Sequence, residues 1–252
     1  MVRGGVVTIA LIGGTGLEAL DGESVPVLDS AQTPYGRASA IPRRSEALSG
    51  ALFLNRHADD HSLLPHEINY RANLWLLNEL GVDVVLAVFA VGGISRGLVN
   101  GDFVLPAQII DYTWGREHTF ADATRLLHAD FTEPFDRDLY DTLVHAALLA
   151  DVDLFPEGVY GCTQGPRLET AAEIDRMERD GCTVVGMTGM PEAVLARELG
   201  LPYAGVCLVV NPAAGRGPGM IEVAGMRAVV DEASPRLLRL VARFVELVEQ
   251  RE

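Results

Sequence analysis

Lysine is absent from this chain of 252 residues, and all 20 of its basic residues are arginine. That absence excludes a Walker-A lysine, a lysine Schiff base to pyridoxal phosphate or to a ketone, and a lysine general base. An anion can therefore be held only by arginine, histidine, hydroxyls or backbone N–H groups. No apolar run reaches the roughly 18–20 residues needed to cross a bilayer, so no membrane partner is expected. The apolar N-terminal stretch ends in glycines rather than in a cleavage site, which reads as a first strand and a cytoplasmic protein. Cysteine is scarce: Cys162, Cys182 and Cys207 are widely spaced and odd in number, which suits small buried hydrophobes better than a disulfide framework or a zinc cluster. A net charge of −15 would repel a phosphate backbone overall, so nucleic acid is not an expected partner, although a local pocket could still hold one small anion.

What is present is a hydrophobic fraction of 48% with 26 glycines, the composition of a globular enzyme with many tight turns. The length suits a single domain over residues 1–252. Strand-like runs recur at Val6–Ile12, Ala51–Leu54, Val82–Val91, Phe103–Ile110, Gly158–Thr163, Thr183–Met187 and Tyr203–Val210. Helical spacing predicts helices over Asn69–Leu80, with Tyr70, Leu74 and Leu77 on one face, and over Glu169–Asp180, Met190–Leu199 and Pro235–Glu249. In the third of these, Pro191 and Glu192 read as a favourable first turn. The alternation predicts an α/β fold in which a twisted mixed sheet is flanked by helices.

Ligands of open α/β sheets gather beyond strand ends, so the loops there carry the chemistry. Gly13-Gly14-Thr15-Gly16 can turn backbone N–H groups and a hydroxyl toward an anion, but the third glycine of a dinucleotide fingerprint is missing. Arg56-His57 is a natural oxyanion clamp. His57 and His61 have the spacing of helical zinc ligands, yet the HExxH glutamate is missing and Pro65 interrupts a helix, so no metal is expected. Gly93-Ile94-Ser95-Arg96-Gly97 matches the G-x-S-x-G nucleophile elbow, which would make Ser95 the nucleophile of a serine hydrolase. An elbow must lead into a helix, whereas another strand-like run follows here. Taken singly, Glu169 reads as a helix cap and Asn211 as a turn residue before proline.

The loops together, from IGGTGL through NRH, AVGG, GPRLETAAE, GMTGMPEAVLARELGLPYA and VVNPAAG, resemble the trimeric purine nucleoside phosphorylase and methylthioadenosine phosphorylase family over essentially the whole chain. Within it the chain is most similar to the bacterial S-methyl-5'-thioinosine phosphorylases. The resemblance implies phosphorolysis of S-methyl-5'-thioinosine to hypoxanthine and 5-methylthioribose 1-phosphate, a homotrimer, phosphate as co-substrate and no cofactor. It implies phosphate binding by Thr15, Arg56, His57, Ala90 and Thr188, a sugar floor at Met187, and a base site at Glu169 and Asn211, with His57 and Asn211 catalytic. Family members often carry Thr or Asn where this chain has Phe89, which leaves only main chain for the phosphate there. Val223 and Met226 align with an apolar lip for the 5'-methylthio group, and His128 matches a stretch that reaches into the neighbouring subunit's site.

Base choice follows from donors and acceptors. A 6-oxopurine offers N1–H as a donor and O6 as an acceptor, and adenine reverses both. An ionised Glu169 only accepts; Asn211 can donate to O6 and accept from a protonated N7. Adenine-specific relatives carry Asp in place of Asn211 and a small hydroxyl residue in place of Glu169. The near alternatives are methylthioadenosine phosphorylase and an inosine/guanosine phosphorylase; the distant ones are the Ser95 hydrolase and a nucleotide-binding module without catalysis.

Overall fold

The computed structural model describes residues 7–14, 25–26, 28, 30–45, 48–124 and 126–250. In chain order they form β1 (Ile9–Gly13), β2 (Val25–Pro26), β3 (Gln32–Thr33), β4 (Gly36–Arg37), β5 (Arg43–Arg44), β6 (Leu52–Asn55), α1 (Tyr70–Glu79), β7 (Val84–Gly93), β8 (Phe103–Asp111), α2 (Arg137–Ala150), β9 (Leu154–Cys162), α3 (Ala171–Asp180), β10 (Val184–Gly186), α4 (Gly189–Leu199), β11 (Tyr203–Pro212) and α5 (Val223–Glu249). The strands join in the order β10-β9-β8-β11-β7-β1-β6-β5-β2, with β3 and β4 a separate hairpin.

The sheet is mixed, as expected. β1, β6, β7 and β11 run parallel to one another, β8, β9 and β10 form a second parallel set, and the sets meet antiparallel at β11–β8. β10 also pairs antiparallel with β7, so β7, β11, β8, β9 and β10 close on themselves like a small barrel. Because Val185 lies opposite Gly92, the chain leaving β10 at Met187 runs back along β7 toward Ala90. Closure thus brings the carboxyl ends of oppositely directed strands to one place.

Core side chains explain the layers. The near-continuous apolar runs of β1 and β7 are buried on both faces, as the middle strands of a covered sheet must be. On one face Leu86, Val88, Val206 and Leu208 pack against Leu139 and Leu143 of α2 and Leu237, Leu240 and Phe244 of α5. On the other, Ala87, Phe89 and Val209 pack with Leu74 and Leu77 of α1 and Leu195 of α4. α1 starts where predicted, with the Asn69 side chain accepting from Ala72 N–H.

Three sequence expectations need correction. α2 was not anticipated at all. α5 begins at Val223 rather than at Pro235, which lies inside the helix; Val230, Ala233, Leu237 and Leu240 are buried on both sides of the proline and hold the helix through it. The cap of α3 is Thr170, not Glu169: its hydroxyl accepts from Glu173 N–H while Glu173 reaches back to Thr170 N–H, a reciprocal capping box. That division of labour leaves Glu169 outside the helix.

Candidate active site

A cavity of about 210 Å³ opens among the ends of β1, β6, β7, β10 and β11, and a second of about 470 Å³ continues from it toward the 212–222 loop. Arg56, His57, Ala90, Glu169, Met187, Thr188, Asn211 and Met226 all line the first. Thr15 lies outside the described residues, but its neighbour Gly14 is in the wall. Val223 opens α5, and its side chain is likewise outside what is described. His128 is exposed and lines neither cavity.

Arg56 dominates one end. Its guanidinium is 1% exposed and forms a fork with Glu192, Nε to Oε2 at 2.7 Å and Nη2 to Oε1 at 2.9 Å. Nη1 donates to Val88 O at 3.1 Å, and Tyr203 O–H donates to Glu192 Oε1 at 2.8 Å. Burial alone would lower the guanidinium pKa, but the Glu192 carboxylate outweighs it and the net shift is upward, so Arg56 is a permanent cation. The Phe89 ring, buried in the core, lies under the guanidinium at 5.1 Å. Phe89 therefore gives an anion no side-chain contact and instead supports Arg56 from behind.

Gly14 is required here, because a Cβ on it would stand 2.8 Å from His57 Cδ2. His57 Nδ1 lies 2.9 Å from Leu63 O, and a carbonyl can only accept, so Nδ1 carries the proton. In the neutral ring Nε2 is then an acceptor, suited to a phosphate O–H; it becomes a donor only as imidazolium. Thr188 is buried and its hydroxyl has no hydrogen bond among the described residues, while its N–H donates to the Tyr160 hydroxyl oxygen at 3.3 Å. Arg56, His57, Thr188 and Gly14 thus bring a cation, an imidazole, a hydroxyl and a glycine main chain to one end of the cavity, groups that can hold an anion.

Met187 links this end to the other. Gly165, at φ +60°, passes so close that a Cβ would come within 2.6 Å of the Met187 sulfur. Arg116 locks the arrangement by donating to Met187 O at 2.8 Å, Gln164 O at 2.8 Å and Thr163 O at 3.2 Å. Glu169 and Asn211 line the same cavity. A bulge at Val210, where β11 slips its register against β7, re-aims Asn211 into the cavity. Its Nδ2 donates to Pro212 O at 2.7 Å, and its second N–H and Oδ1 have no hydrogen bond among the described residues. Ile221, Met226, Val230 and Leu237 give the cavity an apolar wall.

Sequence reading missed Glu192, Tyr203 and Arg116. Glu192 passes for a helix-start acid until its partner is seen; only the need of a buried arginine for a counterion could have pointed to it. Ser95 leads into a turn and then β8, with no helix after it, so the elbow geometry is not formed. Among the described residues no His, Cys, Asp and Glu cluster could hold a metal, and His57 and His61 simply stack, with ring centroids 6.2 Å apart. All three cysteines are free and buried, and burial pushes the Cys162 thiol up to about 12.

His57 also gives a pH signature. Burial, opposed by the Leu63 carbonyl and aided by Arg56, lowers its folded pKa below the unfolded value of about 6.5. The unfolded chain therefore takes up the proton first, and stability present above about pH 6.5 is lost as pH falls toward the folded pKa. In phosphate-free buffer the Tm of wild type should fall relative to that of His57→Asn between about pH 7.5 and about pH 5. A constant difference between the two melting curves would refute this.

The model of the phosphorylase superfamily matches residues 8–246. A probable S-methyl-5'-thioinosine phosphorylase from Pseudomonas syringae pv. tomato is 48% identical over 240 residues, 94% of this chain and 97% of the relative. A 6-oxopurine nucleoside phosphorylase from Pyrococcus furiosus is 39% identical, covering 95% of this chain and 92% of its own. Methylthioadenosine phosphorylase from Schistosoma mansoni, solved in complex with adenine, superposes with a TM-score of 0.90 at 29% identity, over 98% of this chain and 93% of that one.

Proposed function

The chain belongs to the phosphorylase superfamily, and from that premise we propose that it cleaves S-methyl-5'-thioinosine with phosphate to hypoxanthine and 5-methylthioribose 1-phosphate. The observation that carries this reading is that Glu169 and Asn211 line the same cavity as Arg56, His57, Thr188 and Met187. Phosphate sits at the Arg56 end, held also by the glycine turn with Thr15 and by the main chain at Ala90, and the purine at the Glu169 end. A phosphate oxygen forms its bond to the anomeric carbon as the bond to N9 breaks, the electron pair leaves on the purine, and the proton that hydrogen phosphate gives up on becoming the ester ends on N7 of the base. Asn211 receives the purine by donating to O6 and accepting from N7–H, which favours the departing base as its charge grows. Glu169 accepts from N1–H.

The apolar wall of Ile221 and Met226, which Val223 would extend, suits a methylthio group better than a 5'-hydroxyl, since a hydroxyl there would be desolvated without a partner. The relatives named for S-methyl-5'-thioinosine and for 6-oxopurine nucleosides support the base choice; the adenine complex supports the cavity as a purine site. The proposal includes a homotrimer in which His128 of one subunit closes the pocket of the next, a role in purine salvage, and a cytoplasmic setting, which the free buried cysteines suit.

The test compares kcat/KM for methylthioinosine, methylthioadenosine and inosine, with and without phosphate. Methylthioinosine should be preferred, and only with phosphate. Preference for methylthioadenosine would overturn the base assignment, preference for inosine the 5' assignment, and turnover without phosphate the reaction itself.

A further inference from the structure

Glu169 stands in a wall shared by three hollows: the two nucleoside cavities and a separate cleft of about 540 Å³ lined by Asp111, Trp114, Gln164, Arg167 and Arg176. The terminal torsion of a glutamate is broad. A half-buried carboxylate in such a wall can turn toward the cleft, where the Arg167 guanidinium lies, as readily as toward the base. Something must hold it.

Thr163 is placed to do so. It follows directly on β9, and its N–H donates to Gly186 O at 2.8 Å, tying the ends of β9 and β10 together. Arg116 grips the carbonyls of Thr163 and Gln164 and also the Gln164 side chain at 3.1 Å, so this corner is fixed from behind. From it the Thr163 hydroxyl donates to Glu169 Oε1 at 2.6 Å, within the short range of a hydroxyl–carboxylate bond. Its other neighbour, Gly186 O, is 3.4 Å away and competes poorly. A hydroxyl has one proton, so Oε1 is engaged, while Oε2 has no hydrogen bond among the described residues. Arg167 is meanwhile occupied by Glu173, at 2.7 and 2.8 Å.

We propose that Thr163 is a specificity-determining positioning residue, whose hydroxyl holds the Glu169 carboxylate toward the nucleoside cavity with Oε2 presented to the N1–H of a 6-oxopurine. Thr163 touches no substrate; it acts through Glu169. The inference rests on the 6-oxopurine reading above. Without the hydroxyl the carboxylate gains freedom to turn toward Arg167, and both the attraction for N1–H and the repulsion of adenine's bare N1 weaken together.

Thr163→Val keeps the shape and removes the hydroxyl; Thr163→Ala is a second hydroxyl-free variant should valine fail to fold; Thr163→Ser restores the donor. Steady-state kinetics of each with methylthioinosine, methylthioadenosine and phosphate form the test. Loss of a hydrogen bond to a charged group predicts, for Val or Ala, a KM for methylthioinosine raised about 10-fold and a 6-oxo over 6-amino preference reduced about 10-fold. The KM for phosphate should stay at the wild-type value, which general damage to the cavity would not allow, and Ser should recover most of the preference. A hydroxyl-free variant with wild-type preference, or a serine variant as poor as valine, overturns the inference alone. A wild-type enzyme that prefers methylthioadenosine overturns the 6-oxopurine reading and this inference with it.

Discussion

Replacing Glu192 with glutamine should destabilise the protein by about 3–5 kcal/mol, the usual cost of leaving one partner of a buried ion pair without the other. Both members of the pair are all but inaccessible, at 1% for Arg56 and 0% for Glu192, so water cannot take over from the lost carboxylate. Glutamine fits the space but presents an amide N–H₂ to either Arg56 or Tyr203, both of which donate to Glu192 now. For a chain of this length about 2–4 °C of Tm accompanies each kcal/mol, so a fall of roughly 6–20 °C is expected in a thermal melt. The pair should also behave as a unit. A double variant, Arg56→Met with Glu192→Leu, should recover part of the stability that the single change loses, because no uncompensated charge remains, although it would abolish phosphorolysis. A single variant melting within about 1 °C of wild type would mean that Arg56 does not depend on Glu192.

This pair also marks where sequence reading stopped. Its members are 136 residues apart, and Glu192 sits beside a proline in what passes for an ordinary first helical turn. Nothing local distinguishes it from a solvated acid. The same holds for Arg116, whose partners are mostly backbone carbonyls, groups that every residue carries. The anion loops were legible for the opposite reason. Glycine beside a threonine, or arginine beside a histidine, is unusual at a strand end whatever the rest of the fold does.

Among the helices, α1 was readable because its apolar positions fall on one face and Asn69 caps it. α2 was not. Leu139, Leu143 and Ala146 are buried, but Val144, Leu148 and Leu149 on the outer side are apolar as well, so its C-terminal half shows little contrast between faces. α5 was half read, because a proline usually opens a helix, and only the packing of residues on both sides of Pro235 shows that it does not. Closure of the strands from β7 to β10 was also beyond sequence, since strand order depends on long-range pairing that periodicity does not encode.

Asn211→Asp is the variant expected to change catalysis most. The bulge at Val210 aims the residue into the cavity, and the bond from Nδ2 to Pro212 O fixes which way the amide faces. One N–H is then left for O6 and Oδ1 for N7–H, the pair a hypoxanthine leaving group requires. Aspartate removes both N–H groups. Its oxygens would confront O6 on one side and the Pro212 carbonyl on the other, two acceptors with no proton between them. Unmet buried polar groups cost about 1–3 kcal/mol each. The clash with Pro212 O is already present in the free enzyme, so the loss at O6 is what kcat/KM reads, and at about 1.4 kcal/mol per decade it lowers kcat/KM for methylthioinosine by about 5- to 150-fold. The variant should also turn over methylthioadenosine better than wild type does, because the 6-amino group can donate to aspartate. The gain will be partial while Glu169 still opposes the bare N1. Adding Glu169→Ser to Asn211→Asp should remove that opposition and carry the preference across to the 6-amino substrate. If Asn211→Asp alone leaves the methylthioinosine rate unchanged, Asn211 is a turn residue and the base site lies elsewhere in the cavity.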